Sequence, residues 1–317
     1  MTLEKKYERS IIKLGNSMAI TFPREWFKIT NLKEHSKIFI YPVNDNTLIL
    51  NTIEEKEKEQ ILKIDGSKWA VELIKQSIIS AFKLNIDKLH LKYNDKNYEK
   101  IYILLTELQR QIIGLEFQNL NASQKFCIKF LVDSSKTTLK EVLLDLINLS
   151  DVFIKKICED ESENNYELLM EEFNRRHYLG TRIIIYRMVQ NHFVNDNLNF
   201  STIQFLIDRV ALLYLEEFIY NTLKLKELPK NFIMKYSDFL KKFPRFLYDL
   251  INNYDEMDLY TIQQIEENLK NLRVELNELL IDVNIEELQL KSIIEYYFKI
   301  TEDFVSIQLN KALEAKI

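Results

Sequence analysis

Basic and small polar side chains are concentrated near the start of this 317-residue chain. Arginine and lysine neutralise phosphate groups, and amide and hydroxyl side chains hydrogen-bond phosphates or base edges, so this mixture suits contact with DNA. Alternate residues of a strand share a face, which would place Arg9 and Lys13 together with Ile11 between them. The candidate DNA-binding residues are Arg9, Lys13, Asn16, Ser17 and Arg24, followed by Lys5, Lys6 and Lys28.

A short hairpin would position these side chains. Two apolar runs, Ile11-Ile12 and residues 19–22, flank Gly15-Asn16, a dipeptide typical of tight turns. Asn16 therefore has two interpretations: it supplies only the positive φ of the turn, or it also contacts DNA. Pro23 fixes φ at a helical value, so we expect a short helix over residues 24–28.

A second hairpin is predicted further along the chain. Apolar runs at residues 37–43 and 47–53 are separated by Asn44-Asp45-Asn46, which is typical of a turn. A domain with four short strands and one helical turn exposes its sheet edges and cannot bury a core alone. We therefore expect residues 1–53 to form a domain that pairs with a second copy of itself.

The charge is distributed unevenly. Residues 1–37 carry eight Lys or Arg and four Glu, a net charge of +4, whereas the whole chain has a net charge of −5. A basic head on an acidic body suits a head that meets phosphates and a body that avoids them. Small β-domains also carry Lys on their exposed edges, so charge alone leaves both explanations open.

Composition excludes several classes of site. Four Gly and four Pro in the chain predict long helices, and no Gly-rich phosphate loop, dinucleotide fingerprint or Gly-x-Ser-x-Gly elbow occurs. No nucleophile–base pair stands out, so we expect neither an enzyme nor a cofactor. Cys127 and Cys158 lack metal-ligand or disulfide spacing and predict buried free thiols. No long apolar window or signal region occurs, which predicts a soluble, cytoplasmic protein without membrane insertion.

The middle of the chain mixes helices and strands. Residues 54–63 are a charge run typical of a linker or a solvated helical turn. Hydrophobic periodicity then predicts helices over residues 67–82 and 97–114, the second stopped by Gly114. Strands are predicted over residues 86–93 and 125–132, and they would pair in a small sheet.

Six helices are predicted from residue 134 onward. Four segments begin with the spacing or composition of a capping box, and two prolines interrupt the fourth helix. The fifth helix carries an apolar seam that fits either a bundle helix or a coiled coil, and the bundle is favoured. The capping residues are Thr138, Ser201, Thr261 and Asn284, the prolines are Pro229 and Pro244, and the seam is Ile262, Ile265, Leu269, Leu272, Leu276, Leu279 and Val283.

The first fifty residues resemble a known family. The segment KLGNSMAITFPREW, followed by LKEHSKIFIYPVNDNTLIL, is similar to the AbrB/MazE/SpoVT swapped-hairpin domain. The resemblance covers roughly residues 7–53 and implies a homodimer that binds DNA through the basic residues named above. His35-Ser36 departs from the family, which usually has Gly-Asp before the third strand.

A second resemblance covers much of the rest. Residues 104–157, with the segment Ile112-Ile113-Gly114-Leu115-Glu116, resemble archaeal PhoU-domain proteins, which are phosphate uptake regulators with an AbrB-like head. The segments MEEFNRRHYLGTRIIIYRM and IDRVALLYLEEFIYNTL are similar to the second and third helices of that family. The two resemblances together imply the architecture of nearly the whole chain.

The PhoU resemblance also bears on metal binding. That family holds metal clusters through carboxylates four residues apart on its second and third helices, where both face one side. In this chain the second carboxylate is replaced, so we expect no bound metal and a solvated charged face instead. The retained carboxylates are Glu171, Glu172, Asp208, Glu266 and Glu267, and the replacing residues are Asn174, Leu212, Lys270 and Asn271.

Two neighbouring features of the same helix have competing interpretations. His177, beside Arg175 and Arg176, is either a satisfied histidine between helices or a ligand. Gly180-Thr181 indicates the close approach of a neighbouring helix rather than an active site.

The sequence therefore predicts an α+β protein in three parts. Residues 1–53 are an AbrB-like DNA-binding domain, residues 54–133 a linker and α/β connector, and residues 134–317 a PhoU-like body of two bundles, about 134–226 and 230–317. The resemblances imply a homodimeric or larger DNA-binding transcriptional regulator, with phosphate homeostasis as its process. The alternatives are an adaptor whose body binds a transporter or kinase while the head only dimerises, and an antitoxin-like protein.

Overall fold

The structure is a computed structural model that describes residues 7–44, 47–52, 59–159, 164–190, 202–254, 258–279 and 285–314. Residues 7–52 belong to one compact unit, and the described residues from 59 onward belong to another. Small sheets and many helices confirm the predicted α+β class. No helix of the described ranges has the length and apolar content that crossing a membrane requires.

The first unit contains two antiparallel hairpins and one short helix, as the sequence predicted. Strand β1 pairs with β2 so that Leu14 lies opposite Ser17, and β3 pairs with β4 with an irregularity between Pro42 and Asn44. The strands lie closer to the turn than predicted: β1 begins at Ile12 rather than Ile11, and β2 ends at Ala19 rather than Phe22. The elements are β1 (Ile12–Leu14), β2 (Ser17–Ala19), α1 (Arg24–Thr30), β3 (Phe39–Asn44) and β4 (Thr47–Asn51).

The second unit begins with a four-stranded sheet in the order β5-β6-β8-β7. The β5–β6 pair is parallel and is joined through α2, because parallel neighbours need a crossover, whereas the other two pairs are antiparallel. Apolar side chains of the sheet and of both helices form one core. The elements are β5 (Ile61–Asp65), α2 (Val71–Lys83), β6 (Lys88–Lys92), α3 (Tyr98–Gln111), β7 (Leu115–Leu120) and β8 (Lys125–Phe130).

The predicted pairing of the strands near residues 86–93 and 125–132 is confirmed by the β6–β8 ladder. Two predictions for this region were wrong. Residues 61–63 lie in β5 rather than in a linker or helical turn, because Leu62 and Ile64 alternate toward the core. Strand β7 was missed, since its polar residues 116 and 118 face outward and dilute the hydrophobic signal.

Eight helices follow among the described residues. Helix α4 packs against α5, α6 and α9, while α11 packs against α6, α9 and α10. The fourth predicted segment is three short helices, with Pro229 before the first and Pro244 in the opening turn of the third. They are α4 (Leu139–Glu159), α5 (Asn164–Gln190), α6 (Thr202–Lys224), α7 (Lys230–Lys235), α8 (Ser237–Leu240), α9 (Lys242–Asn252), α10 (Leu259–Leu279) and α11 (Ile285–Glu314).

One buried cluster extends through these helices, from Leu139 to Ile307. It contains the α10 seam from Ile262 to Leu276, together with Leu225, Leu228 and Ile233 at the proposed boundary between bundles. The division into two bundles stays a prediction. Cys127 and Cys158 are buried free thiols, as predicted.

The capping predictions have mixed outcomes. Before α4, the Thr138 amide donates to Glu141 at 2.8 Å and the Glu141 amide donates to the Thr138 hydroxyl at 3.2 Å, a complete capping box. Thr261 does not cap α10, because the Thr261 amide itself donates to the Asp258 carboxylate at 2.8 Å. Asp258, one turn earlier, is the cap. Ser201 and Asn284 lie outside the described residues.

Helix α5 connects the sheet layer to the helical core. At Gly180 an added Cβ would lie 2.9 Å from Leu212 of α6 and 3.2 Å from Val142 of α4, which confirms the predicted close approach. Arg182 is fully buried, and its Nη1 donates to the carbonyl oxygens of Phe82, at 2.8 Å, and Ile86, at 3.1 Å. The Phe82 carbonyl lies in the last turn of α2 and the Ile86 carbonyl in the segment that leads to β6, so the guanidinium caps the helix end from a different element.

Replacing Arg182 should therefore loosen the α5–α2 contact. Arg182→Met keeps most of the volume but removes two hydrogen bonds from a charged donor, each of which contributes about 1.5–3 kcal/mol. We expect chemical denaturation to show a loss of about 3 kcal/mol or more, the lower end of that range for two bonds. Arg110→Met, at an exposed position of α3, should change the free energy of unfolding by less than about 0.5 kcal/mol. Equal losses in the two variants would contradict the capping role.

Candidate nucleic-acid interface

The turn between β1 and β2 is made by Gly15 and Asn16. Gly15 has φ +60°, a left-handed value that glycine adopts without steric cost. Asn16 is not among the described residues with positive φ. The interpretation in which Asn16 only supplies the positive φ of the turn is therefore wrong, because Gly15 supplies it. Asn16 and Ser17 are both exposed, at the turn and at the start of β2.

The basic candidates of this unit are exposed but lie on different elements. Lys13 is on β1, whereas Arg9 precedes the strand, so the face that they were expected to share stays a prediction. Arg24 and Lys28 are four residues apart on α1 and therefore lie on one side of it. No described residue forms an ion pair with Lys13, Arg24 or Lys28. Lys5 and Lys6 lie outside the described residues.

The segment before β1 is held to α1 by a tyrosine. The Tyr7 hydroxyl donates to the Glu25 carboxylate at 2.5 Å, and this bond raises the pKa of Tyr7. The Arg9 guanidinium lies 5.7 Å from the centre of the Tyr7 ring and donates to the Glu8 carbonyl at 2.9 Å. The chain entering the hairpin thus brings Arg9 toward the first turn of the helix that begins with Arg24.

Apolar side chains cover much of the surface of this unit. Ile11, Leu14 and Met18 are 71%, 67% and 73% exposed, and among the side chains of the unit whose burial the structure describes none is a buried hydrophobic. An aromatic group, Phe22 with Trp26 and Phe27, provides local packing, with ring centres 5.1–6.2 Å apart. Burying a large apolar side chain stabilises by about 1.5–3 kcal/mol, so a surface of this kind favours a covering partner.

The turn before β3 keeps a conformation that glycine adopts most easily. His35 has φ +66°, and the turn is closed by Ser36, whose amide donates to the Lys33 carbonyl at 3.0 Å and whose hydroxyl accepts from the Lys33 amide at 2.9 Å. A non-glycine residue held at such a φ costs on the order of 1 kcal/mol. His35-Ser36 therefore changes the sequence of the turn but leaves a left-handed residue in place.

In the helical part, the retained carboxylates do not form one charged face. Asp208 is buried, where it accepts hydrogen bonds from Gln204 at 2.8 Å and Tyr254 at 3.0 Å, with the Lys311 ammonium 3.8 Å away. Burial raises its pKa. The expectation of a solvated face was wrong for Asp208, because neighbouring polar groups replace its water. The Glu172 carboxylate is paired within its own helix, where it accepts hydrogen bonds from the guanidinium groups of Arg175, at 2.7 Å, and Arg176, at 2.9 Å.

No group of three or more His, Cys, Asp or Glu side chains suited to a metal ion occurs in the described residues. Glu141 and Asp145 are carboxylates four residues apart on α4, but each has another partner. Glu141 takes part in the α4 capping box, and the Asp145 carboxylate lies 3.1 Å from the Arg176 guanidinium. The metal-free state stays a prediction.

His177 lies in a polar cluster between three helices. It is 2% exposed, its Nε2 has no hydrogen-bond partner, and the nearest carboxylate oxygen, of Glu216, is 3.6 Å away. Burial first, then the positive charges of Lys83 and Arg209, lowers the pKa of His177 to about 3. Lys83 also has a lowered pKa because of burial. His177 is thus a neutral histidine between helices near neutral pH, but the prediction that it is satisfied there was wrong, because its buried Nε2 has no hydrogen-bond partner.

Sequence reasoning missed several members of this arrangement. Lys83, Arg209 and Glu216 come from α2 and α6, and their distance along the chain from His177 hid the cluster. The exposed apolar residues of the first unit were detectable, since Ile12 and Leu14 flank Lys13 in a strand of only three residues and Ile11 lies directly before it.

The His177 cluster should make stability depend on pH. Between pH 6.5 and about 3 the unfolded chain takes up a proton that folded His177 does not, so the free energy of unfolding falls as pH falls. The slope is at most about 1.4 kcal/mol per pH unit. In His177→Gln, the loss between pH 7 and pH 5 should shrink by up to about 2 kcal/mol. Denaturant titration at the two pH values checks this. His90→Gln, at a partly exposed site on β6, should behave as wild type, and equal pH dependence in all three proteins would contradict the assignment.

No protein-family model matches the chain, and no significant similarity to a characterised protein or to a solved structure was found.

Proposed function

We propose that this protein is a homodimeric DNA-binding regulator with an AbrB-like head, residues 1–53, and a PhoU-like helical body. The observation that carries the proposal is the combination in the first unit of uncovered apolar side chains with exposed basic side chains that no described residue neutralises. Apolar groups are buried by a second copy, and the basic groups are then doubled across the two-fold axis.

The head would bind DNA chiefly through phosphates. Arg9, Lys13 and Arg24 supply positive charge, and Asn16 and Ser17 supply polar groups at the exposed turn. Gly15 rather than Asn16 carries the positive φ of the turn, and the exposed Asn16 amide is available for contact with DNA in this proposal. Lys28, on the same side of α1 as Arg24, extends the basic surface.

In this proposal the body has a sensing or docking role in the regulator. Three of its polar side chains, those of Asp208, His177 and Arg182, are buried within or between helices and are therefore not available to a partner. The link to phosphate homeostasis comes from the sequence resemblance. An adaptor, in which the head only dimerises, requires the same apolar interface but no DNA contact, so the two functions separate experimentally.

Dimerisation is tested on the full chain. Leu14→Asn combined with Met18→Asn replaces two side chains that are exposed in one copy, so each copy should stay folded while the shared interface weakens. Sedimentation at micromolar concentration should show a dimer for wild type and a monomer for the variant. Leu168→Asn, at an exposed position of α5, should leave the dimer intact. A wild-type monomer would refute the swapped-hairpin assignment.

DNA binding is tested by a salt titration. A dimer offers two copies each of Arg9, Lys13 and Arg24, and about six phosphate contacts imply a log–log slope of roughly −5. Replacing Arg9 and Lys13 by Ala should make the slope shallower by up to about 3.6 and weaken binding at low salt. The melting temperature should barely change, since exposed charges contribute little to folding.

The matched control for this titration replaces Lys96 and Lys100, an exposed pair at and before the start of α3, by Ala. This variant loses the same charge and should keep the wild-type slope. If the head variant binds DNA as tightly as wild type at every salt concentration, the adaptor function replaces the regulator.

A further inference from the structure

A cleft of about 280 Å³ lies between α4 and the start of α9, far along the chain from the head. Such a volume is near the lower end of the range for small-molecule sites, roughly 300–1,000 Å³, so it fits a small ligand rather than a peptide or a nucleic acid. We call it the α4–α9 cleft, and it is lined by Ile147, Asn148, Asp151, Lys155, Lys241, Pro244, Arg245 and Tyr248.

The cleft has an excess of positive charge. The lining has three cationic side chains and one acidic side chain, Asp151. The Asp151 carboxylate is paired with the Lys155 ammonium at 2.5 Å, so it does not neutralise the other two cations. Neither Lys241 nor Arg245 forms an ion pair with a described residue. They are four residues apart, a spacing at which like charges on a helix repel each other. An anion between them would remove this repulsion.

The same cleft has an apolar part. Ile147 and Pro244 are buried residues of α4 and α9, and the Tyr248 ring, 39% exposed, lies one turn beyond Pro244. Aromatic and aliphatic groups of a ligand gain by leaving water on such a surface. Inorganic phosphate alone would leave this part of the lining uncovered.

We propose that the α4–α9 cleft binds a small organic anion: a phosphate or carboxylate group held by Lys241 and Arg245, with an apolar ring packed on Ile147, Pro244 and Tyr248. A metal ion does not fit, because Asp151 is the sole carboxylate of the lining and is already paired. The site does not depend on DNA binding by the head. Because α4 and α9 share the main helical core, the ligand would join two elements of that core.

Calorimetric titration of the full chain tests the proposal with three probes. Phenyl phosphate carries both halves of the proposed ligand, inorganic phosphate only the anion, and benzyl alcohol only the ring. Phenyl phosphate should bind at least tenfold more tightly than either of the others. Absence of phenyl phosphate binding at millimolar concentration, or equal affinity for inorganic phosphate, would overturn the proposal.

Variants then assign the binding to the cleft. Lys241→Gln with Arg245→Gln should weaken phenyl phosphate at least tenfold, whereas Lys96→Gln with Lys100→Gln, another pair four residues apart, should not change it. Tyr248→Ser should weaken phenyl phosphate severalfold and leave inorganic phosphate unchanged. Arg245 and Tyr248 are exposed, so their replacement should not disturb the fold. The melting temperature of each variant is measured as the control for folding and should equal that of wild type. Equal binding by the cleft variant and its control would place the site elsewhere and refute the proposal.

Discussion

The second unit depends on one buried cation. The Arg182 guanidinium leaves α5, reaches the end of α2 and satisfies the carbonyls of Phe82 and Ile86. Burial lowers the pKa of Arg182 to about 10, which still leaves it charged at neutral pH, and Asp87 at 3.9 Å opposes the shift. The Phe82 and Phe130 rings lie 5.0 and 5.9 Å from the guanidinium carbon, so its flat faces are also covered. The orientation of the sheet layer on α5 follows from these directional bonds, which apolar packing alone would not fix.

The two units illustrate opposite solutions to burying apolar surface. The helical core encloses Phe218, Phe243, Tyr297 and Phe298 completely, and Gly180 lets three helices approach closely. The head has too few residues to enclose a core, and many of its large aliphatic side chains are exposed, among them Ile11, Leu14 and Leu48. A single constraint, the ratio of surface to volume, thus explains why the helical part encloses a core while the head leaves apolar side chains exposed, which is the feature behind the proposed pairing of two copies.

Local signals in the sequence predicted most elements but few of the sites. Thr138 and Glu141 lie within one turn, so their reciprocal bonds follow from spacing, as does the hairpin closed by Gly15. The sequence prediction missed strand β7, because outward-facing polar residues dilute its apolar periodicity. The prediction that Asp208 is solvated was wrong for another reason. Its buried carboxylate is hydrogen-bonded by Tyr254, which belongs to a distant segment of the chain. The α4–α9 cleft likewise joins residues about a hundred positions apart, and no single-segment pattern encodes such a juxtaposition.

The last helix has a consequence for the newly made chain. Helix α11 contributes Tyr297, Phe298 and Phe304 to the same core as Leu139, and Gln308 donates to the Leu250 carbonyl at 3.0 Å. Ribosomes add about 5–20 residues per second, so α11 is synthesised on the order of ten seconds after α4. During that interval part of the apolar lining of the core has no covering helix. The body therefore completes its folding after translation of α11, and a chaperone that shields aliphatic surface would act in that interval.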